Sequence, residues 1–298
     1  MSVDATPVVG LTLHFRTPAQ TLSCLRSLHA EGIPHAVVVD NSEDDGKSLA
    51  TIHAHLNKLQ ASGLKIDVVT SERNLGFAQG VNTGLTRAAA TRASSVLLIN
   101  SDARLERGAL AALVQGLSNA QVSIPLVRPR PGAPAFSLFG FYQRMFALVL
   151  RKHQPGCLRY PSGCCLLLRA ETAVSPLFDQ DFFFYGEDVM LGCNLRARGV
   201  DVVECPSAVI LHAGSGSAKN GSLFYEYHLN RGHWLLARKL AENRFEMVVF
   251  LAARCVTLPL RATVRSMRFR SWVPWKGLIA ATFDAVGGRC RSFTPPVP

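Results

Sequence analysis

Three places in this 298-residue chain put reactive side chains where packing alone does not account for them. The first is Asn100-Ser101-Asp102, at the end of the apolar run Ser95 to Ile99. Aspartate is poor in a strand core, so a carboxylate at the exit is placed for water, a helix cap or a ligand. The second is Phe182-Phe183-Phe184-Tyr185-Gly186-Glu187-Asp188. Its two acids open a helical pattern with Val189, Cys193 and Ala197 on one face, and the helix dipole favours negative charge in a first turn. That explains the acids but not the four aromatics, which cannot all point inward and suit the wall of a ligand pocket. A carboxylate kept ionised there is available as a general base. The third is His212, after Val209 to Leu211 and before Ala213-Gly-Ser-Gly-Ser217. A lone histidine is usually structural. Beside a Gly/Ser segment whose amides can cradle phosphate, it becomes a candidate metal or phosphate contact. Neither a Walker sequence nor G-x-G-x-x-G is present, so P-loop and nicotinamide chemistry have no support.

These residues need elements to position them. Val8 to Phe15 reads as a buried strand, and Thr17-Pro18 supplies an N-cap and a first-turn proline. Strands follow at Ala36 to Asp40, Ile66 to Thr70 and Ser95 to Ile99, alternating with helical patterns at Leu22 to Leu28, Leu49 to Leu59 and Phe77 to Ala90. This alternation predicts an α/β domain with a mainly parallel central sheet flanked by helices. In such sheets ligands bind beyond the carboxyl ends of the strands, where Asp40 and Asp102 both fall. A helix is expected around Gly108 to Leu117, which Asp102 would cap if its role is structural. Pro125 to Pro134 reads as a loop, Cys164 to Leu168 as a strand and Gly186 to Arg198 as a helix. Asp201 to Glu204 and Val209 to Leu211 read as two short strands, and Tyr225 to Leu240 as a long helix.

Composition excludes several classes. With 48% hydrophobic and 18% charged residues the chain is neither disordered nor fibrous. Its net charge of +11 is uneven. Residues 1 to 230 carry 20 basic and 18 acidic side chains, while 231 to 298 carry 12 and 3. A basic tail suits an anionic partner. Nucleic acid is not expected, because no recognised module or basic-aromatic array is present. Arg261, Arg265 and Arg268 can share a helical face, with Trp272 and Trp275 following, a pattern that lies on an anionic membrane. No stretch is expected to span one: Met247 to Leu260 is short of the roughly 20 residues required, and Arg254 and Pro259 interrupt it. The eight cysteines include no C-x-x-C. Cys24, Cys164, Cys193 and Cys255 read as buried small hydrophobes in a reducing cytosol, and no signal peptide is visible.

Taken in order, these pieces resemble the family 2 glycosyltransferases of the GT-A fold, in particular the rhamnosyltransferase-like branch that builds bacterial surface polysaccharides. The resemblance runs through Val38-Val-Asp40-Asn41-Ser42, Asn74-Leu-Gly76-Phe77-Ala78 with Asn82, Leu97-Leu-Ile-Asn100-Ser-Asp102, Gly163 with its strand, Phe183 to Asp188, and His212-Ala-Gly-Ser215. It covers about residues 8 to 240. A GT-A domain is therefore expected over 1–240 and a helical, basic, amphipathic extension over 241–298.

The resemblance implies inverting, metal-dependent transfer of a hexosyl group, rhamnose for instance, from a nucleotide-sugar donor. The acceptor would be a glycan or a polyprenyl-linked sugar, at the cytoplasmic face of the cell membrane. By that analogy Asp40 holds the base or ribose. Asn41, Asn74, Gly76, Phe77, Asn82, Asn100 and Arg231 serve the donor site. Asp102 and His212 hold Mg²⁺ or Mn²⁺, and Asp188 is the base with Glu187 beside it. The chain departs from the family at His14, Met190, Asn194 and Gly232, which bears on sugar or acceptor choice. The alternative is a transferase-derived binding subunit without catalysis.

Overall fold

A computed structural model describes residues 7–214, 219–291 and 293. In chain order the elements are β1 (Val8–His14), α1 (Pro18–Ala30), β2 (His35–Asp40), α2 (Lys47–Ala61), β3 (Lys65–Thr70), α3 (Gly76–Ala89), β4 (Ser95–Ile99), β5 (Ala103–Leu105), α4 (Ala109–Gly116), β6 (Val122–Arg128) and β7 (Phe136–Ser137). They continue with β8 (Phe139–Gln143), β9 (Leu148–Leu150), β10 (Cys157–Pro161), β11 (Cys165–Arg169), α5 (Glu187–Ala197), β12 (Val202–His212), α6 (Leu223–Lys239), α7 (Arg244–Phe269) and α8 (Val273–Val286). Packing divides the chain into two compact units. One holds the residues up to Leu138, Pro161–Phe178 and Asn194–Gly214. The other holds Phe139–Tyr160, Asp179–Cys193 and the described residues after Gly214.

The first unit is built on a nine-stranded sheet in the order β3-β2-β1-β4-β11-β6-β12-β5, with β7 beside β6. Parallel pairing joins β3, β2, β1 and β4, as the alternating pattern predicts. Beyond β4 the sheet is mixed, because β11 runs antiparallel to both β4 and β6. The strands β2, β4 and β11 are almost continuously apolar and buried, which a sheet covered on both faces requires. Helix α3 packs on β1 and β2 through small residues: a Cβ at Gly84 would collide with Leu11.

Several local expectations need correction. Thr17 stands at the N-cap of α1 but makes no side-chain capping bond. Pro125 lies inside β6, so only the rest of the proline-rich stretch is loop. The two short strands expected after Asp201 are one strand, β12, with a bulge between Cys205 and Val209. Cys24 and Cys164 are buried, but Cys193 is half-buried and Cys255 exposed.

The second unit combines a three-stranded sheet, β10-β8-β9, with α6, α7 and α8. Its core gathers Tyr142, Phe182, Met190, Leu236, Leu258 and Leu278. Ser222 caps α6 by accepting from the Tyr225 N–H, and Asn243 caps α7 by accepting from that of Glu246.

Helix α7 overturns two expectations. It runs unbroken for 26 residues through Arg254 and Pro259. Its most apolar 18-residue window has a mean hydropathy of 1.6 and is 22% buried, so by length and composition alone this helix is sufficient to cross a membrane. The arginines also do not form a solvated face. Arg254 is fully buried and spends all five N–H donors on the chain. Its acceptors are the carbonyls of His233, Met145, Phe250 and Arg144 and the Tyr142 hydroxyl. Arg261 and Arg265 turn to the buried carboxylate of Glu226 on α6.

Candidate functional site

The carboxyl edge of the parallel strands in the first unit carries the residues expected to meet a donor. Asp40 ends β2, and Asp102 follows β4 by three residues. Strand β1 lies between β2 and β4, so the two strand ends that lead to these carboxylates are two strand spacings apart, about 10 Å. Asp40 is buried, accepts from the Ser42 N–H at 3.1 Å, and lines a cavity of about 250 Å³ with Thr70, Glu72 and Gly46.

Around it several predicted residues act on the chain itself. Asn41 donates to the Asn74 side-chain oxygen at 2.8 Å and to the Gly76 carbonyl at 3.1 Å, and accepts from the Leu75 N–H at 2.7 Å. Asn74 also accepts from the Gly76 N–H. This network ties the end of β2 to the start of α3, where Gly76 takes a left-handed φ of +74°. Phe77 packs edge-on against Phe178. Asn82 is buried and clamps the 177–178 turn: it accepts from the Leu177 and Phe178 N–H groups and donates to the Phe178 carbonyl. His14 is buried between Thr21 and Ser48. Burial lowers its pKa, although Asp40 and Asp44 oppose that.

Sheet register brings Asp102 and His212 together. Strand β12 pairs antiparallel with β5, setting His212 opposite Ala103, the residue after Asp102. The His212 Nε2 is 3.1 Å from Asp102 Oδ1, and its Nδ1 is 3.4 Å from Cys164 Sγ. Burial pulls the His212 pKa down, but Asp102 and Cys164 outweigh it and push it up to about 10. Asp102 is not the cap of α4. That helix begins with the N–H groups of Gly108 and Leu110 donating to Glu31, at 2.9 and 3.0 Å. The pair lines a cavity of about 340 Å³ with Arg104 and Arg130. Asn100 shapes the turn before it, its N–H donating to the Cys164 carbonyl and its carbonyl accepting from Ala103. Ser215, in the His-x-Gly-Ser likeness, and the following Gly216 and Ser217 lie outside the described residues.

The pair suits a divalent ion. Two neighbouring ligands of an octahedral ion at ~2.1 Å lie ~3 Å apart, close to the observed 3.1 Å. No cluster of three or more His, Cys, Asp or Glu side chains suited to a metal occurs among the described residues. Among the described residues the pair supplies two donors, and a Mg²⁺ ion held by one or two protein ligands usually takes its others from phosphate oxygens and water. Cys164 behind the imidazole fixes its orientation.

The second unit holds the other candidates. Glu187 and Asp188 begin α5 and line a cavity of about 450 Å³. Glu187 is buried, and one of its oxygens has no hydrogen-bond partner among the described residues. Burial first, then the neighbouring Asp188 charge, push its pKa well above the usual carboxylate range. Of the four aromatics before them only Tyr185 lines this cavity. Phe182 is core, while Phe183 and Phe184 pack on Phe224. Tyr185 takes a φ of +64° and Gly186 one of +102°. Gly232 makes that turn possible, since a Cβ there would collide with the Tyr185 carbonyl oxygen. Arg231 is buried and donates to the carbonyls of Arg289 and Asp181 at 2.9 and 2.7 Å. Sequence reading missed Tyr142, Tyr160, His233, Arg261 and Arg265 as lining residues. Their scatter over two strands and two helices leaves no local signal.

The sequence from residue 14 to 258 matches a family described as glycosyltransferase-like family 2. The chain belongs to that family. This glycosyltransferase-family protein is 25% identical over 305 residues to an N-acetylglucosaminyl-diphospho-decaprenol L-rhamnosyltransferase of Mycobacterium tuberculosis, covering 90% of this chain and 92% of the relative. Its fold is GT-A. It superposes with a TM-score of 0.56 on a mannosyltransferase from Pyrobaculum calidifontis in complex with GDP-Man and Mn²⁺, at 16% identity over 94% of this chain and 87% of that one. With S. aureus TarS 1–349 in complex with UDP-GlcNAc the TM-score is 0.54, at 16% identity over 95% and 81% of the two chains.

Proposed function

We propose that this protein is an inverting, metal-dependent hexosyltransferase of bacterial surface polysaccharide synthesis. It moves a sugar, rhamnose in the first instance, from a nucleoside diphosphate to a glycan or polyprenyl-linked acceptor. The observation that carries the reading is the Asp102–His212 pair, 3.1 Å apart just beyond the carboxyl end of β4. Asp40 receives the nucleoside. Asp102 and His212 would hold Mg²⁺ or Mn²⁺, the imidazole as its neutral form. When bound, such an ion neutralises the charge growing on the departing diphosphate. Asp188 accepts the acceptor's hydroxyl proton as its oxygen bonds to the anomeric carbon and the bond to the diphosphate breaks. Entry from the face opposite the diphosphate inverts that carbon. Glu187, its acid form favoured by burial, sits beside Asp188 without competing for the proton.

The same reading places the protein at the cytoplasmic face of the cell membrane. Support comes from the outer face of α7, where Val256, Leu260, Val264 and Met267 are each more than half exposed. Arg268, Arg270 and Trp272 are exposed at its end. An apolar stripe edged by basic residues and tryptophan suits an anionic lipid surface.

Calorimetry of the full chain with a panel of nucleotide sugars, with and without Mn²⁺, tests the donor half. Thymidine-diphosphate rhamnose is expected to bind with Mn²⁺ and to release its nucleoside diphosphate on turnover. Binding of no nucleotide sugar in the presence of metal sinks the reading. Binding without turnover over any acceptor favours the non-catalytic subunit.

A further inference from the structure

The cavity beside Asp188 contains groups that the chemistry above leaves unused. Arg261 and Arg265 of α7 line it. Both address one carboxylate, the fully buried Glu226: Arg261 Nη1 is 3.2 Å from Oε2 and Arg265 Nε is 2.7 Å from Oε1. Glu226 thus takes one contact from each of two guanidinium groups, and Asp188 is a further carboxylate lining the same cavity. Arg265 is further occupied, donating to Asn220 Oδ1 at 2.5 Å and lying over the rings of Tyr225 and Phe269. Arg261 is not. Among the described residues only its Nη1 has a protein partner, and its remaining donors meet none. A guanidinium with spare donors in a cavity is matched by phosphate oxygens, which its planar fork engages in pairs.

The same cavity has an apolar lip. Leu148 and Val149 line it and are also 48% and 60% exposed. Its volume of about 450 Å³ suits a small ligand. A free sugar needs neither a guanidinium fork nor an exposed aliphatic lip, and a lipid headgroup alone needs no base. A sugar joined through phosphate to a lipid uses all three.

We infer that this cavity is the acceptor site, in which Arg261 grips the phosphate or diphosphate linking the acceptor sugar to its lipid, while the lipid chain leaves over Leu148 and Val149. The assignment rests on the proposed role of Asp188. It commits to an amphiphile, with an inorganic anion as the competing occupant.

The test uses the full chain in EDTA, which silences the metal-dependent donor side. Geranyl diphosphate, inorganic pyrophosphate and geraniol are titrated calorimetrically into the wild type, Arg261→Gln and Arg261→Lys. Geranyl diphosphate is expected to bind the wild type, about 10-fold more weakly to Arg261→Gln, and with intermediate affinity to Arg261→Lys, which keeps the charge but loses the fork. Pyrophosphate and geraniol should each bind about 10-fold more weakly than geranyl diphosphate. Arg265 still neutralises Glu226 in both variants, and unchanged melting and unchanged donor binding with Mn²⁺ check the fold. Equal affinity of wild type and Arg261→Gln for geranyl diphosphate overturns the inference. So does pyrophosphate binding as tightly as geranyl diphosphate, which makes the site an inorganic anion site. Binding needs no turnover, so an inactive or donor-blind protein that still shows the Arg261 dependence refutes the proposed transfer and leaves the phosphate site standing.

Discussion

Two buried histidines of α6 should make this protein acid-sensitive well above the range where carboxylates titrate. His228 and His233 are almost fully buried. Burial, reinforced by Arg231 for His228 and by Arg261 and Arg254 for His233, pushes each pKa down from 6.5 to about 3. The folded protein therefore keeps both neutral where the unfolded chain protonates them. Their contribution is fully present above pH 6.5 and is lost as pH falls toward 3. At about 1.4 kcal/mol per pH unit, the 1.5 units between 6.5 and 5.0 cost about 2 kcal/mol for each histidine and about 4 for the pair. Glu187 works the other way, since its raised pKa adds stability as pH falls. The clean measurement is therefore a difference between variants. His233→Asn retains a polar group facing the Tyr142 hydroxyl, which lies 3.1 Å from His233 Nδ1, but it cannot titrate. Urea unfolding at pH 7.5 and 5.0 should show a pH-dependent loss about 2 kcal/mol smaller in His233→Asn than in wild type, whatever its stability at pH 7.5. Identical losses in the two proteins would refute the claim that His233 is held neutral by its surroundings.

The remaining expectations concern the site and its supports. Asp102→Ala should abolish Mn²⁺-dependent donor binding with thermal melting nearly unchanged, because Glu31, not Asp102, caps α4; unchanged turnover removes Asp102 from the metal. Asp188→Asn should leave donor affinity intact and lower turnover by about 10²-fold or more; lost affinity with undiminished saturated rate makes it a binding residue. Gly232→Ala should destabilise the protein by about 1–3 kcal/mol, measured by urea unfolding, because a Cβ meets the Tyr185 carbonyl with no room to yield. Leu260→Asp combined with Val264→Asp, both on the exposed face of α7, should leave unfolding within about 1 kcal/mol of wild type while abolishing pelleting with anionic liposomes; undiminished pelleting moves membrane contact elsewhere.

The parallel half of the sheet was legible because β2 and β4 are uninterrupted apolar runs that end on polar residues, a local pattern with one physical meaning. Asp40 and Asp102 could be placed at the carboxyl edge for the same reason. The closeness of Asp102 and His212 could not be derived from pattern, because 110 residues separate them and only β12–β5 register joins them. Family resemblance supplied it. The single strand β12 read as two because Pro206 and Ser207 break the apolar run at its bulge. The α7 arginines misled for a different reason. Charge is normally solvated, and nothing adjacent in sequence announces the Glu226 carboxylate or the backbone carbonyls that draw Arg254, Arg261 and Arg265 inward. Asn41, Asn74 and Asn82 carried the family signature, yet they spend their amides holding loops. Their spacing could not show this, because the groups they bond lie up to 96 residues away.

Arg254 has a consequence for how this family's sequences are compared. Its guanidinium satisfies four carbonyls and a hydroxyl contributed by α6, α7, β8 and the β8–β9 turn, and among the described residues it meets no carboxylate. Lysine has too few donors, arranged in the wrong directions, and any neutral side chain strands those acceptors without water. The position is therefore closed to substitution for architectural reasons alone. Its place on the helix that carries Arg261 would invite a catalytic reading. The arginine at 254 should be credited to the joint it closes, and the search for residues that select sugar or acceptor directed to neighbours whose donors are still unspent.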